Sequence, residues 1–168
     1  KFPSVGATEN ILLAAVKATG DTVITGAARE PEVIALCEFL TACGASIEGM
    51  GSPELIIHGG GDLHGTRYTV PTDRIVAGTY LFGCIGCGGS VLLNQAPWSQ
   101  MEAVTVAAER MGAQCTVSEE GLFVQAPVRP KSIGHLQTGP YPEFPTDLQS
   151  AAMAVLTMGE GISYIEEN

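Results

Sequence analysis

Phe2-Pro3-Ser4, Val70-Pro71-Thr72 and Phe144-Pro145-Thr146 each set a proline before a small hydroxyl residue, in stretches that are otherwise alike. The first two prolines lie 68 residues apart, and the same offset carries Val23 onto Val91, Gly44 onto Gly112 and Leu55 onto Phe123. The third proline follows the second by 74 residues. A pattern restated at such a period is an internal repeat. Its third copy breaks off at Asn168, so the sequence is expected to be cut from a longer array.

Within a copy, the proline ends an extended segment and the Ser or Thr offers a hydroxyl to the free N–H groups of a helix start. In the first copy the spacing predicts a helix over Ala7 to Ala18, with Ile11, Leu12, Ala15 and Ala18 on its apolar side and Gly20 as a left-handed end. A strand over Thr22 to Thr25 follows. A second helix opens at Pro31, places Val33, Leu36, Cys37 and Leu40 at helical spacing, and ends at Gly44; its later equivalent carries Met101, Val104 and Ala108 and ends at Gly112. Short strands are predicted at Ala45 to Glu48 and Leu55 to His58, and again at Ala113 to Val117 and Leu122 to Gln125. With an initial strand before the capping residue, the unit is an α/β repeat of βαβαββ form.

With 168 residues and 45% hydrophobic content, there is chain for one modest core or for parts of two, as in soluble α/β proteins. Eighteen Asp and Glu against eight Lys and Arg give a net charge of −10, which argues against nonspecific nucleic-acid binding and against docking on an anionic membrane. A phosphate-rich ligand would then depend on helix N-termini and backbone amides, or on basic groups from outside this sequence. Five cysteines, an odd number, and no signal peptide favour a reducing compartment, the cytoplasm, over a disulfide framework. The uncharged run from Ile75 to Leu93 would draw a hydropathy scan toward a membrane span. Gly88-Gly89 divides it, however, and the matching first-copy segment carries Glu9, Lys17 and Asp21.

Other signals are weaker. Cys84-Ile85-Gly86-Cys87 has metal-like spacing without a second pair, so two buried thiols are expected, and Cys37, Cys43 and Cys115 read as core residues. His58, His64 and His135 show no ligand spacing, and no nucleophile elbow supports a Ser-His-Asp set; no metal and no cofactor are expected. Gly59-Gly60-Gly61-Asp62 lacks the ending of a phosphate loop and reads as a flexible linker. Trp98 beside Pro97 reads as an anchor for the start of the second helix.

Four motifs around the helix starts carry more. Pro3-Ser4-Val5-Gly6-Ala7-Thr8-Glu9-Asn10, Ala28-Arg29-Glu30-Pro31-Glu32, Thr72-Asp73-Arg74-Ile75 and Phe144-Pro145-Thr146-Asp147-Leu148-Gln149 stand in order. Together they closely resemble the enolpyruvyl transferase family, in its UDP-N-acetylglucosamine 1-carboxyvinyltransferase branch, in register along the whole sequence. The resemblance implies two globular domains, each of three repeated units arranged as an inside-out α/β barrel with helix N-termini directed toward the cleft between them, of which this sequence is an incomplete central part. Residues 1–66 would be the last repeat of one domain, and residues 67–168 the first and part of the second repeat of the other. The implied reaction transfers the enolpyruvyl group of phosphoenolpyruvate to the 3-hydroxyl of UDP-N-acetylglucosamine, with release of phosphate. That is the first committed step of peptidoglycan precursor synthesis, serving cell-wall biogenesis, cell shape and cell division.

By the same resemblance Asp147 takes the proton of the sugar hydroxyl. Its position alone reads as an ordinary acid in the first turn of a helix, where the dipole favours the carboxylate; burial against Phe144 and the sugar, or positioning, would have to offset the weakened basicity. Phe2 and Pro3 are implied to flank the uracil, the backbone amides of Ser4, Val5 and Gly6 to meet the UDP part, and Thr146 to contact substrate. Other members carry a lysine near Phe2, where this sequence has only Lys1. Arg74 is a further candidate, since an arginine in a first turn needs a carboxylate or a ligand anion, unless it is structural. The family's reactive cysteine would precede Lys1 and its phosphoenolpyruvate-holding basic residues would lie outside this segment, so none of the five cysteines takes that role and the segment alone is expected to be inactive. Two further classes stand beside this one. The first is a relative of the same fold with another acceptor, such as the shikimate-pathway enolpyruvyl transferase or the RNA 3'-phosphate cyclase, the latter disfavoured by the acidic charge. The second is a noncatalytic repeat module that binds a protein partner.

Overall fold

A computed structural model describes residues 2–168; Lys1 lies outside the described residues. The chain divides into two compact units, residues 1–71 and 72–168, each with its own apolar core.

In the first unit Ser4 is extended (φ −113°, ψ 120°) and α1 runs Val5–Ala15, starting and ending earlier than the sequence pattern suggests. There follow β1 (Asp21–Thr25), α2 (Pro31–Ala42), β2 (Ser46–Glu48) and β3 (Glu54–His58). The antiparallel sheet has the order β1-β3-β2, with Ile24 opposite Leu55 and Ile47 opposite Ile57. α1 buries Thr8, Leu12 and Ala15, a stripe that leaves Ile11 and Ala18 exposed where both were expected inside. The glycine run after β3 is not a loose linker. Gly59 N–H donates to the Gly20 carbonyl (3.1 Å), Lys17 Nζ to the Gly61 carbonyl (3.1 Å), and His64 N–H to the Cys43 carbonyl (2.8 Å). A Cβ at Gly59 would stand 2.2 Å from the Ala18 oxygen and 2.6 Å from that of Ala15, so only glycine lets the chain press against the end of α1.

The second unit holds α3 (Arg74–Cys87), β4 (Ser90–Asn94), a 3-10 turn (Trp98–Gln100), α4 (Glu102–Arg110), β5 (Gln114–Ser118) and β6 (Gly121–Gln125), with an antiparallel sheet of order β4-β6-β5. β7 (Gly134–Gln137), a 3-10 turn (Thr146–Leu148), α5 (Gln149–Thr157) and β8 (Ser163–Glu166) continue it, β7 and β8 pairing in parallel through the α5 crossover. The initial strand of the repeat is thus present in the third copy as β7, whereas no strand lies between β3 and α3 among the described residues. Gly88 and Gly89, at φ +79° and +95°, end the uncharged helix before β4, and no helix among the described residues is long and apolar enough to cross a membrane. Trp98 is 48% exposed, and the buried residue at the head of α4 is Met101, 1% exposed. Of the two thiols expected inside, Cys84 is half-buried and Cys87 is exposed, because the inward stripe of α3 runs through Leu81, Phe82 and Ile85.

The repeat holds for whole elements and slips for single strand residues. Gly44 and Gly112 share a left-handed φ, +102° and +99°. Val23, however, is exposed where Val91 packs on the core, and Leu55 is buried where Phe123 is exposed. The inward pairs are Ile24 with Leu55 in one sheet, and Val91 with Val124 and Leu93 with Leu122 in the other. β4 begins 69 residues after β1, and β6 begins 67 after β3, while Gly44 and Gly112 stay 68 apart, so the two strands slip by one residue in opposite directions. A shift of one residue turns the opposite face of a strand inward, which is why the uniform offset pairs the wrong side chains.

Gly59→Ala is expected to destabilise the protein by about 1–3 kcal/mol, since the atoms its methyl would meet are backbone. Gly83→Ala, on the exposed side of α3 with nothing within 4 Å of the new Cβ, is expected to be neutral or to stabilise by about 0.5–1 kcal/mol. Urea unfolding midpoints check both.

Candidate functional site

Ser4 caps α1, its Oγ accepting the Ala7 N–H at 3.3 Å. The helix start leaves the Val5 and Gly6 N–H groups without intrahelical partners. Phe2 is 63% exposed and Ser4 and Gly6 are exposed, Pro3 is half-buried, and Val5 turns its side chain onto the core. A ligand at this turn would therefore meet backbone, with open space at Gly6, where an added Cβ would touch nothing within 4 Å. Thr8, which the sequence did not single out for a role, fixes the turn. It is buried, its Oγ1 donates to the Ser4 carbonyl (2.8 Å), and the same oxygen accepts the Ala28 N–H (3.1 Å). Because Ala28 shortly precedes Pro31, the starts of α1 and α2 are tied at one end of the unit. The available signal was a threonine in helical phase with Leu12 and Ala15, a polar group on a buried stripe.

At the head of α3 the expected cap is replaced. The Thr72 hydroxyl donates to the Gln95 carbonyl (2.8 Å), and Asp73 caps instead, Oδ1 accepting from the N–H groups of Ile75 (2.7 Å) and Val76 (3.2 Å). A carboxylate is the stronger acceptor at a helix N-terminus, so it displaces the hydroxyl. Arg74 is buried, with its guanidinium 5.3 Å from the centroid of the Tyr141 ring, a cation–π contact that fastens the loop leading to Phe144.

In the third copy Phe144 is buried with its ring 6.1 Å from that of Phe82, and Leu148 is fully buried beside Gly78. Between these anchors Thr146 and Asp147 are exposed on the 3-10 turn. Two expectations change here. Asp147 precedes the α-helix, which starts only at Gln149, and Thr146 makes no cap because its hydroxyl donates to the Glu167 carboxylate. Phe144 turns into the core and does not bury Asp147.

Two histidines are held by carboxylates, and burial covers several thiols. His58 lies between Asp21 (Nδ1 to Oδ1, 2.9 Å) and Glu48 (Nε2 to Oε1, 3.2 Å), and the hydrogen bond to Asp21, then that to Glu48, raises its pKa above the ordinary 6.5. His135 Nε2 meets Glu166 Oε2 at 3.1 Å. Burial pushes the Cys37 and Cys115 thiols up to about 11, and raises that of Cys84. Such thiols are protonated at neutral pH and poor nucleophiles. Among the described residues no cluster of three or more His, Cys, Asp or Glu is arranged to hold a metal ion.

Two compact units, each with helices against a three-stranded antiparallel sheet, define a class of α/β repeat proteins. The family model of EPSP synthase (3-phosphoshikimate 1-carboxyvinyltransferase) matches residues 1–168, and the chain belongs to this family of enolpyruvyl transferases. It is 46% identical over 168 residues to the UDP-N-acetylglucosamine 1-carboxyvinyltransferase of Zymomonas mobilis, covering 99% of this chain and 39% of that protein. The protein of the same name from Nitratidesulfovibrio vulgaris is 42% identical over 167 residues, covering 99% of this chain and 40% of the relative. The chain thus spans about two fifths of the length of these relatives. In structure it is similar to the enolpyruvyl transferase NikO from Streptomyces tendae, with a TM-score of 0.81 at 22% identity over 96% of this chain and 39% of that one, a likeness of fold.

Two outcomes are expected. Thr8→Val, which leaves a buried N–H and a carbonyl without their hydroxyl partner, should cost about 1–3 kcal/mol in chemical unfolding. Because His58 is raised in the folded state, its contribution is fully present below about pH 6.5 and lost as pH climbs through the higher folded value. A ring-proton NMR titration should give a midpoint above 6.5, and His58→Gln should flatten this part of the stability profile.

Proposed function

We propose that this chain is part of an enzyme that transfers the enolpyruvyl group of phosphoenolpyruvate to the 3-hydroxyl of UDP-N-acetylglucosamine. The observation that carries the proposal is the Asp147 turn, an exposed carboxylate between two buried anchors, Phe144 and Leu148. A base held in place this way meets a hydroxyl proton without first reorganising. The oxygen freed of its proton bonds to C2 of phosphoenolpyruvate as C3 takes up a proton, and the tetrahedral intermediate then loses phosphate from C2 and a proton from C3 to leave the enol ether. The Ser4, Val5 and Gly6 amides meet the UDP part, Phe2 and Pro3 flank the uracil, Thr146 contacts the substrate, and Arg74 secures the loop before the Asp147 turn. The relatives at 42–46% identity, named for this acceptor, support the choice of nucleotide sugar. Residues 1–66 would close one globular domain of the intact protein and residues 67–168 open the other, working in the cytoplasm on small molecules. The matching family model is named for 3-phosphoshikimate, which favours a second reading, the same transfer to that acceptor.

In the intact protein, phosphate release from phosphoenolpyruvate should require UDP-N-acetylglucosamine, and Asp147→Asn should lower kcat by about 10²- to 10⁴-fold. The nucleotide sugar should also shift the amide resonances of Ser4, Val5 and Gly6. Phosphate release with 3-phosphoshikimate alone would select the second reading, and an Asp147→Asn variant at full rate would remove Asp147 from the proton transfer.

A further inference from the structure

The Glu167 carboxylate accepts hydrogen bonds from two hydroxyl groups. Thr138 Oγ1 donates to Oε2 at 3.0 Å, and Thr146 Oγ1 donates to Oε1. Thr138 is wholly buried just beyond β7, and its backbone N–H donates to the Glu166 carbonyl (3.0 Å). Its hydroxyl also accepts the Asn168 N–H (3.2 Å), while its carbonyl accepts from Asn168 Nδ2 (3.3 Å). Glu167 is therefore held on the Thr138 side by partly buried strand-end bonds, and its other oxygen reaches to the residue next to Asp147. Stapling the ends of β7 and β8 requires only the Thr138 arm. The Thr146 arm serves the exposed turn.

We propose that Glu167 is a positioning residue for the transfer: it holds the Asp147 turn and fixes the polarity of the Thr146 hydroxyl. The inference rests on Asp147 acting as the base. A hydroxyl has one proton, and with that proton committed to Glu167 only the lone pairs of Thr146 Oγ1 face any ligand. Thr146 then accepts from a substrate O–H or N–H and cannot donate to a phosphate oxygen. Beside the Asp147 carboxylate this makes two neighbouring acceptors, which suit a neutral, donor-rich sugar ring and repel an anionic group at that point. The polarity of this corner thereby selects the hydroxyl-bearing acceptor.

The test uses the intact protein and the variants Glu167→Gln, Thr146→Val, Thr146→Ser and the double variant Glu167→Gln/Thr146→Val, with exposed Glu119→Gln in the β5–β6 turn as a control. Glu167→Gln and Thr146→Val should each lower kcat about 10- to 100-fold while the KM for phosphoenolpyruvate stays within about twofold. The double variant should be no slower than the slower single variant, as expected for groups acting as one unit. Thr146→Ser, which keeps the hydroxyl, should recover most of the rate that Thr146→Val loses, and Glu119→Gln should match the wild-type protein. Amide hydrogen exchange over 144–148 should quicken about tenfold or more in Glu167→Gln and Thr146→Val and not in Thr146→Ser. Multiplicative losses in the double variant, wild-type kcat in Glu167→Gln, or unchanged exchange over that turn would overturn the inference. A wild-type protein that releases no phosphate with either acceptor defeats the functional proposal by itself. In that event the exchange comparison still decides the clamp: faster in both hydroxyl-breaking variants supports it, and unchanged overturns it.

Discussion

Leu148 fills the space that Gly78 leaves on α3, where even a methyl group would come within 2.4 Å of its side chain. The Thr146–Asp147 turn of the second unit depends on that contact and on its neighbours. Arg74, Gly78 and Phe82 stand four residues apart, so they form one stripe of the helix. That stripe receives Tyr141 through a cation–π contact, Leu148 through a missing side chain, and Phe144 through ring packing. Three successive positions of one helix thus fix both flanks of a short turn and leave its middle, Thr146 and Asp147, facing outward. A side chain on so short a segment between buried anchors loses little further freedom on meeting a ligand, which is the physical content of preorganisation.

The three Pro-Ser/Thr turns begin from the same backbone constraint and end differently. Proline sets its own φ and leaves the next residues free to satisfy the helix start in whatever way the local chemistry favours. Ser4 caps with its hydroxyl, Asp73 takes over the cap from Thr72, and at Thr146 the hydroxyl is drawn away to Glu167. Repetition of a motif therefore calls for a helix without fixing its first residue or what its polar side chains do. Copies of one repeat can therefore differ at these turns, because these choices are independent.

Much of the fold was legible in the sequence because its signals are local. Pro31 opened α2, Gly44 and Gly112 ended helices in left-handed conformations, and the short strands lay within a residue or two of their predicted ends. What escaped was set by partners distant in sequence or by one-residue changes of spacing. The strand faces slipped because the spacing between copies is 69 residues at β4 and 67 at β6, a change invisible to an averaged offset. The glycine run after His58 looked like a tether until the carbonyls of Ala15, Ala18 and Gly20 were found against it. Of the candidate site, the residues of the turns were legible from the motifs, whereas their supports were not. Thr8 reaches Ala28, and Thr138 reaches Glu167 across 29 residues, by hydrogen bonds that leave no periodic trace.

The claim at the centre of this account is that Asp147 takes the proton of the acceptor hydroxyl. A crystal structure of the intact protein with UDP-N-acetylglucosamine bound tests it most directly. The account predicts an Asp147 carboxylate oxygen within hydrogen-bond reach of the sugar 3-hydroxyl, about 2.6–3.2 Å or through one water. A nucleotide sugar seated with that hydroxyl turned away from Asp147, and another side chain in contact with it, would contradict the account.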